Sequence, residues 1–312
     1  MARPSLIASA ALGWAAVIVL HTGGCSIAFD LDQEQCESNA DCVDKGFADA
    51  ECRNKVCVEP ANTGGSNPGG GGEGGQGGSE PPLPSNFTCL DNFVPATPGA
   101  TIHYNYRFEL ATAEPGTPPM NTTVKLCRSL APTCTNPEET FTPDAEGVIE
   151  FDLEPDFPGF LELVSDPKAP IMPTIVYFEK QPIVIPGKQI VVRVIDPESF
   201  NSIAEFAGVP IDPSRGTSIL LSIDCNDERT SGVTFVSDQV DEDTTPYHFK
   251  GSLPSPTATE TDEQAAGGFV NMPPGSFTAR ATVASSGRFI GEATFLSRAG
   301  YLTYVPMGPT TE

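Results

Sequence analysis

The chain has few of the residues on which most catalytic sites depend. Only three of its 312 residues are histidines. The two that follow the first 24 residues, His103 and His248, have neither an HxxE nor an HExxH spacing. The sequence also contains no GxSxG elbow and no GxxxxGK loop. These absences argue against zinc peptidases, α/β-hydrolases and P-loop nucleotidases, and they predict His103 to be an ordinary solvent-facing residue of a strand.

Positive charge is scarce. The chain has 17 Lys and Arg against 41 Asp and Glu, which gives a formal net charge of -24. Because nucleic-acid binding depends on neutralising phosphates, we expect no nucleic-acid partner. Anionic lipid headgroups would repel such a body as well. A membrane partner is therefore expected only through a covalently attached lipid, and the acidic surface favours solubility.

Long apolar runs are equally scarce. The longest extends from Leu6 to Leu20 after Arg3. Its fifteen residues are fewer than the roughly 20 that a membrane-spanning helix needs. A basic start, an apolar middle and small residues at the end predict an export signal over residues 1–24. The mature chain is then expected outside the cytoplasm.

The residues that follow this run read "HTGGCS". Thr22, Gly23 and Gly24 before Cys25 resemble the bacterial lipoprotein processing box, although Thr22 stands where the box usually has Leu. The resemblance implies that the Cys25 thiol receives a diacylglycerol and that Cys25 becomes the first mature residue. Ordinary cleavage nearby, with Cys25 left as a thiol, is the alternative. Ser26 in place of Asp resembles the outer-membrane default of some Gram-negative bacteria, which implies an outer-membrane or cell-surface location rather than the inner membrane.

Cysteine arithmetic agrees with lipidation. Nine cysteines are an odd number for an exported protein, and removing Cys25 leaves eight that can all pair. In the module of residues 25–60, four of them lie within 22 residues, without the paired CxxC that zinc sites use. An oxidising compartment favours disulfides over the alternative of zinc. We expect Cys36–Cys52 and Cys42–Cys57, since interleaved bonds close larger loops, although four cysteines allow three connectivities. The segment resembles Cys-rich modules of myxobacterial surface proteins at Asp41-Cys42.

A glycine-rich segment follows the module. Ten of the sixteen residues from Gly64 to Ser79 are glycine, so no core can form there. Such a coil of about 20 residues spans about 25 Å. Residues 61–86 are therefore predicted to be a flexible linker between the Cys-rich module and a distal body.

The body, residues 87–312, has the pattern of a mainly β protein. In "TIHYNYRFE", alternate residues from Ile102 to Phe108 are apolar, which is the period of two of a half-buried strand. Similar short runs recur between prolines and glycines, which predicts two tandem antiparallel β-sandwiches, over 87–185 and 186–312. One helix is predicted after Asp196, with Pro197 in its first turn, bridging the two halves.

The two halves resemble each other. "TVKLC" and the later "VIEFDL" and "GFLEL" resemble "LLSIDC", "GGFVNM" and "FTARATV", which predicts two divergent copies. The second copy also resembles carboxypeptidase regulatory-like domains, at Thr261, Asp262, Gly268, Phe269, Pro274, Gly275 and Phe277. That resemblance implies a seven-strand, non-catalytic sandwich. We expect Asp262 and Gly268 in a hairpin turn, Phe269 in the core and Pro274-Gly275 at the next corner.

Four cysteines remain in the body. Cys127 and Cys134 flank the turn-rich "RSLAPT" and are expected to close a local hairpin, which leaves Cys89 for Cys225. Oxygen ligands gather at Asp238, Asp241, Glu242 and Asp243, a weak calcium candidate without EF-hand spacing, for which a solvated loop is the alternative.

We therefore expect a membrane-anchored lipoprotein with a non-catalytic structural or binding role, in contact with protein or polysaccharide at the cell surface, and without a cofactor. The alternative is a secreted hydrolase, such as a glycosidase, with a carboxylate site between the sandwiches.

The anchor can be tested directly. Labelled palmitate is expected to enter the protein, and Cys25→Ser to abolish the labelling, because a hydroxyl cannot replace the thiol as the acceptor. Incorporation is measured by autoradiography after immunoprecipitation. Labelling that survives the substitution would place the lipid elsewhere or on no cysteine at all.

Overall fold

The computed structural model describes residues 83–92, 101–128, 133–154, 157–167, 170–178, 188–251 and 253–310, together with residues 38, 40, 51–53 and 56–58. The predicted signal segment, Cys25, Cys36, Cys42 and the linker up to residue 82 lie outside the described residues. Strands β1 (Glu51–Arg53) and β2 (Val56–Val58) form an antiparallel hairpin. Cys52 and Cys57 are register partners in it, and the disulfide pairing of this module stays a prediction.

Within the described residues, no helix has both the length and the apolar character that crossing a membrane would require.

Seven strands of the body form a first sandwich. One sheet has the order β6-β3-β9 and the other contains β8-β7-β4-β5. The β3–β9 pairing is parallel and the other pairings within this sandwich are antiparallel. The strand bounds are β3 (Ile102–Leu110), β4 (Thr122–Arg128), β5 (Glu139–Phe141), β6 (Val148–Leu153), β7 (Gly159–Ser165), β8 (Thr174–Tyr177) and β9 (Gln189–Val194).

Strand β3 shows why this sandwich forms. Ile102, Tyr104, Tyr106 and Phe108 are all buried, as their alternation predicts, while His103 between them faces solvent. The Tyr106 ring stacks on Phe151 of β6 with centroids 6.0 Å apart. Both rings belong to one buried cluster with Val124 and Leu161 of the opposite sheet. The two sheets thus meet through large apolar side chains, whose removal from water supplies the main favourable free energy of folding.

Eight further strands form a second sandwich. One sheet has the order β11-β15-β16 and the other contains β13-β12-β14-β10-β17. The β10–β17 pairing is parallel. The strand bounds are β10 (Gly216–Ser222), β11 (Val233–Val236), β12 (Thr245–Lys250), β13 (Leu253–Ser255), β14 (Ala266–Met272), β15 (Gly275–Val283), β16 (Phe289–Ser297) and β17 (Leu302–Met307).

The two sandwiches share a sheet. Strand β8 pairs in parallel with β17, which joins the two larger sheets into one of nine strands. On one face of it, Val176 belongs to the core that β6-β3-β9 covers; on the other, Leu220 and Val305 belong to the core that β11-β15-β16 covers. The predicted mainly β class is confirmed, and the structure adds that the sandwiches lie on opposite faces of a shared sheet.

The two halves repeat one topology. The order β6-β3-β9 in the first corresponds to β14-β10-β17 in the second, with the same parallel and antiparallel pairings. Likewise, β4-β7-β8 corresponds to β11-β15-β16. The predicted matches of β6 with β14 and of β7 with β15 agree with this. The predicted match of "TVKLC" in β4 with "LLSIDC" in β10 is one strand out of step, because β10 corresponds to β3. Both segments end in cysteine, and this likeness had suggested the match.

The predicted helix is present as α1 (Pro197–Phe206). The Asp196 carboxylate accepts a hydrogen bond from the Ser199 N–H at 2.9 Å and so caps its first turn. Ile203 packs in one cluster with Ala111 of the first half and Leu302 of the second. The helix therefore bridges the halves, as the sequence indicates.

The chain that precedes the first sandwich packs on the second. Residues Ser85–Asp91 form a 3-10 helix whose Phe87 is buried in the core between β10 and β15. Cys89 forms a disulfide with Cys225, and Cys127 with Cys134, which are the two pairs expected for the body. The boundary of the first sandwich at residue 87 stays a prediction, and Phe87 and Cys89 contact the second sandwich.

The residues that resemble the motif of carboxypeptidase regulatory-like domains lie in three different places. The Asp262 carboxylate accepts the Gln264 N–H in the turn before β14, whereas Gly268 lies inside β14 and not in that turn. Phe269 is buried in the core as expected. Pro274 leads from β14 into β15, which belongs to the other sheet, so it does mark the corner.

Gly268 supports a stability prediction. Its φ is +151°, and a Cβ there would overlap the backbone carbonyl oxygen of Ser218 on β10. Gly275 is the matched control, since its φ is +144° but a Cβ would meet nothing within 4 Å. Gly275→Ala is expected to cost about 1–3 kcal/mol of backbone strain, and Gly268→Ala about 1–3 kcal/mol more. Urea unfolding of both variants measures the difference; equal losses would show that the β10–β14 contact has room for a methyl group.

Candidate functional site

A cleft of about 840 Å³ lies between the two sandwiches. It is bordered by β9, which is an edge of its three-stranded sheet, and by the face of the nine-stranded sheet that no other sheet covers. Helix α1 closes one side with Phe200, Ile203 and Ala204. The apolar floor comes from β10, β12 and β17, through Ile219, Leu221, Tyr247, Phe249, Leu302 and Tyr304.

The floor follows from the alternation of β10. Leu220 points into the core of the second sandwich, so Ile219 and Leu221 point to the opposite face and line the cleft. Two tyrosines add polar groups. The Tyr247 hydroxyl donates to the Ser218 carbonyl at 2.9 Å, and the Tyr304 hydroxyl donates to the Arg193 carbonyl. Burial raises the pKa of both tyrosines, so they remain neutral donors near pH 7.

The outer backbone edge of strand β9 faces this cleft, and directly after the strand the Ile195 carbonyl accepts the Met172 N–H at 2.7 Å. The Val194 carbonyl accepts the Ala111 N–H at 2.8 Å, on the side of β3, whereas the Arg193 carbonyl accepts the Tyr304 hydroxyl on the other side. Because backbone groups alternate along a strand, Val191 points to the same side as Arg193. Its N–H and C=O have no hydrogen-bond partner among the described residues.

The charged side chains of the cleft are largely paired. Glu109 is buried and lies 3.2 Å from the Arg107 Nε and 3.9 Å from the Arg193 Nε. Asp227 is buried as well, with its Oδ2 3.2 Å from the Lys188 Nζ. Two buried polar atoms in the described part of the cleft lack a partner, the Arg193 Nη1 and the Gln264 Oε1. The cleft thus offers one donor, one acceptor and a free strand edge on an apolar floor.

The predicted calcium residues surround an arginine. Arg215 Nη2 donates to both oxygens of Asp241, at 2.5 and 2.6 Å, and its Nη1 lies 3.6 Å from Asp243. The hydrogen bond from Arg215 lowers the pKa of Asp241 to about 2. Asp241 also accepts from the Thr244 N–H, whereas Asp238 is exposed and joins none of these contacts. The guanidinium thus stands where a cation would, and the solvated-loop alternative fits this geometry.

The two histidines have different surroundings. His103 is half-exposed and lies 2.9 Å from Asp152 on the neighbouring strand β6. The His248 ring is buried and stacks on Phe235 with centroids 5.6 Å apart, and its Nδ1 is 3.0 Å from the Ala258 carbonyl oxygen. Burial lowers the pKa of His248. Neither histidine lines the cleft.

One group in the described residues has metal-ligand spacing, namely Cys127, Cys134 and Glu162. The disulfide consumes both thiols. The Glu162 carboxylate lies 2.5 Å from the Arg298 Nη1 and 3.6 Å from the Lys125 Nζ. The group is therefore a disulfide beside an ion pair and offers no open ligand set.

The sequence predicted β9 and α1 and, in the hydrolase alternative, a site between the sandwiches, but it identified none of the residues that line the cleft. Its floor consists of ordinary strand residues such as Ile219 and Leu221, whose pattern does not distinguish a covered face from an open one. The one available signal was that "QIVVRVI" and "SILLSID" alternate little, which is typical of strands with apolar contacts on both faces.

Comparisons with known proteins give only distant likenesses. No family model matches the chain, and no curated protein matches it. Solved structures that resemble it include the Bacillus anthracis TIE protein, at 14% identity over 68% of this chain and 34% of that one, with a TM-score of 0.20. Another is the shaft pilin SpaA from Lactobacillus rhamnosus GG, at 10% identity over 68% of this chain and 99% of that one, with a TM-score of 0.21. A third is GBS52, the minor pilin of Streptococcus agalactiae, at 15% identity over 68% of this chain and 98% of that one, with a TM-score of 0.18.

The chain spans about a third of the length of the TIE protein. TM-scores of this size carry no argument about function, and without a family match the resemblance to carboxypeptidase regulatory-like domains stays a prediction.

The buried His248 predicts a pH dependence of stability. Because its folded-state pKa lies below the ordinary value of 6.5, the unfolded chain takes up the proton first as the pH falls. The stabilisation that the neutral, buried His248 gives the folded state is therefore complete above about pH 6.5 and is lost below it. The thermal midpoint of the native chain is expected to decrease as the pH is lowered from 7 to 5.5. The midpoint of His248→Gln is expected to decrease less. Equal slopes in the native chain and in His248→Gln would contradict the assignment.

Proposed function

We propose that this chain is an exported lipoprotein, anchored through Cys25, whose body has a non-catalytic structural or binding role at the cell surface. Its contacts are with protein or polysaccharide, and the cleft between the sandwiches is the binding site. The observation that carries this proposal is the cleft itself, which combines a large apolar floor with charged groups that are already engaged in ion pairs.

The ion pairs support binding over catalysis. A glycosidase needs one carboxyl group held protonated and a second one free to act as base or nucleophile. Glu109 and Asp227, the buried carboxylates of the cleft, are instead ion-paired with Arg107 and Lys188. Glu228 and Glu263, the exposed carboxylates at the cleft, are open to solvent.

Two further features support a location outside the cytoplasm. The body has two disulfides, one of which joins residues 136 positions apart, and such bonds persist in oxidising compartments. A glycine-rich linker before residue 83 gives the body reach above an anchored module. Many copies held in this way reach a high local concentration, so even weak contacts with neighbouring molecules contribute to adhesion.

The proposal is tested with the full chain on a glycan array and against esterase, protease and glycosidase substrates. Binding without turnover is the expected result, because the buried carboxylates are neutralised by cations. Glu109→Gln and Asp227→Asn are assayed in parallel, with Glu146→Gln as an exposed control on a turn outside the cleft. Turnover that either cleft variant abolishes and the control retains would replace this proposal by the hydrolase.

A further inference from the structure

We infer that the free edge of β9 binds an extended peptide segment of a partner protein, which joins the sheet β6-β3-β9 as a fourth strand over the cleft floor. The inference rests on the proposed binding role and names the partner chemistry for the same cleft. Three independent features of the described residues support it: the backbone groups of β9, the internal repeat and the apolar floor.

The backbone of β9 offers the matching hydrogen bonds. Val191 presents an N–H and a C=O to the cleft, and neither has a partner in the described part of the chain. Unpaired backbone groups beside an apolar surface are unfavourable, and a strand edge of this kind is a template for another strand. A second strand supplies an acceptor and a donor at the required spacing, which an aliphatic ligand cannot do.

The internal repeat shows the same edge already occupied. Strand β17 holds in the second sandwich the position that β9 holds in the first, and its outer edge pairs in parallel with β8. Thr303 and Ile175 are register partners in that junction. One copy of the topology thus accepts a fourth strand from elsewhere in the chain, whereas the described residues provide none for the other copy.

The floor suits the side chains of such a strand. Sheet β6-β3-β9 covers the face of the nine-stranded sheet as far as Val176, and the uncovered face continues with its register partner Tyr304 and then Ile219. A fourth strand would widen the sheet β6-β3-β9 by one strand, so that it would also cover this part of the nine-stranded sheet. Its inward residues would bury Ile219, Leu221 and Tyr304, while its outward residues would face solvent.

Charge favours a neutral or basic peptide. Glu228 and Glu263 are exposed at the cleft, Lys188 is already paired with Asp227, and the chain has a net charge of -24. Arg193 and Arg229 also line the cleft, so a fatty-acid carboxylate is the competing ligand that the laurate measurement below distinguishes. A peptide with lysines at its ends is attracted to the acidic surface.

Several other edges are protected along their length, whereas on β9 the protection is confined to Arg193 and Ile195, whose carbonyls accept the Tyr304 hydroxyl and the Met172 N–H. Strand β16 has its Ile290 carbonyl occupied by the Thr310 N–H at 2.9 Å. Strand β6 carries Glu150 and Asp152 on its outer face, and β13 contains Pro254 and has only three residues. Charge, proline and short length are the usual means of blocking strand addition. Strand β9 lacks them at Val191, where its edge faces the cleft.

The test uses the full chain and a fluorescent peptide of about eight residues that alternates valine and threonine, with lysine at both ends. Fluorescence anisotropy is expected to show saturable binding. Amide exchange at Val191 is expected to slow when the peptide is added, a readout that requires no variant. Two peptides with N-methyl groups on either the valine or the threonine amides are expected to differ, because only one set of amides faces β9.

Val191→Pro removes the free N–H and leaves the pairing with β3 intact, since proline is tolerated where an edge N–H faces outward. Loss of one hydrogen bond is expected to weaken binding about three- to tenfold. Val191→Thr keeps the N–H and is the matched control, expected to bind like the native chain. Thermal midpoints of both variants exclude a general loss of folding.

Three results would overturn the inference: no peptide binding, equal affinity for the two N-methylated peptides, or binding of laurate in place of the peptide with Val191 exchange unchanged. A chain that binds glycans or surface proteins but none of these peptides would retain the proposed function and lose only this partner. Turnover in the substrate panel would remove the proposed function by itself, whatever the peptide result.

Discussion

The parallel pairing of β8 with β17 is the constraint on which the rest of the body depends. It joins the two larger sheets edge to edge, so the molecule has one continuous sheet instead of two separate sandwiches. Because the two smaller sheets lie on opposite faces of it, each half leaves one face without a covering sheet. In the second half the uncovered face meets the edge of β9, and the cleft is the space between them. The cleft therefore results from how the repeats are joined and not from either repeat alone.

Much of the local structure could be predicted from the sequence. The alternation from Ile102 to Phe108 gives β3 and its buried face, and Asp196 with Pro197 gives the start of α1. The body cysteines pair as spacing and elimination indicate. These features are determined by neighbours in sequence or by a small number of possible pairs, which is why residue patterns suffice for them.

The arrangement of the strands could not be predicted in the same way. Parallel neighbours such as β3 and β9 are separated by many residues, and no local pattern states which edges meet. The position of Gly268 shows the same limit, since a Gly near an Asp suggests a turn, whereas here the missing side chain admits the Ser218 carbonyl within a sheet. The acidic loop is a third case: the oxygen-rich sequence suggested a cation, and the cation is the distant Arg215. All three depend on contacts between residues far apart in the chain.

The docking of residues 83–92 on the second sandwich has a mechanical consequence. The Cys89–Cys225 bond closes a loop that contains the whole first sandwich, from β3 to β9. A pull applied through the chain before residue 83 reaches Cys89 and passes directly to Cys225, so the covalent bond carries the tension. The strands of the first sandwich are shielded from that load and cannot be drawn out in series while the bond is intact. A load applied between the chain before residue 83 and the second sandwich would thus bypass the first sandwich.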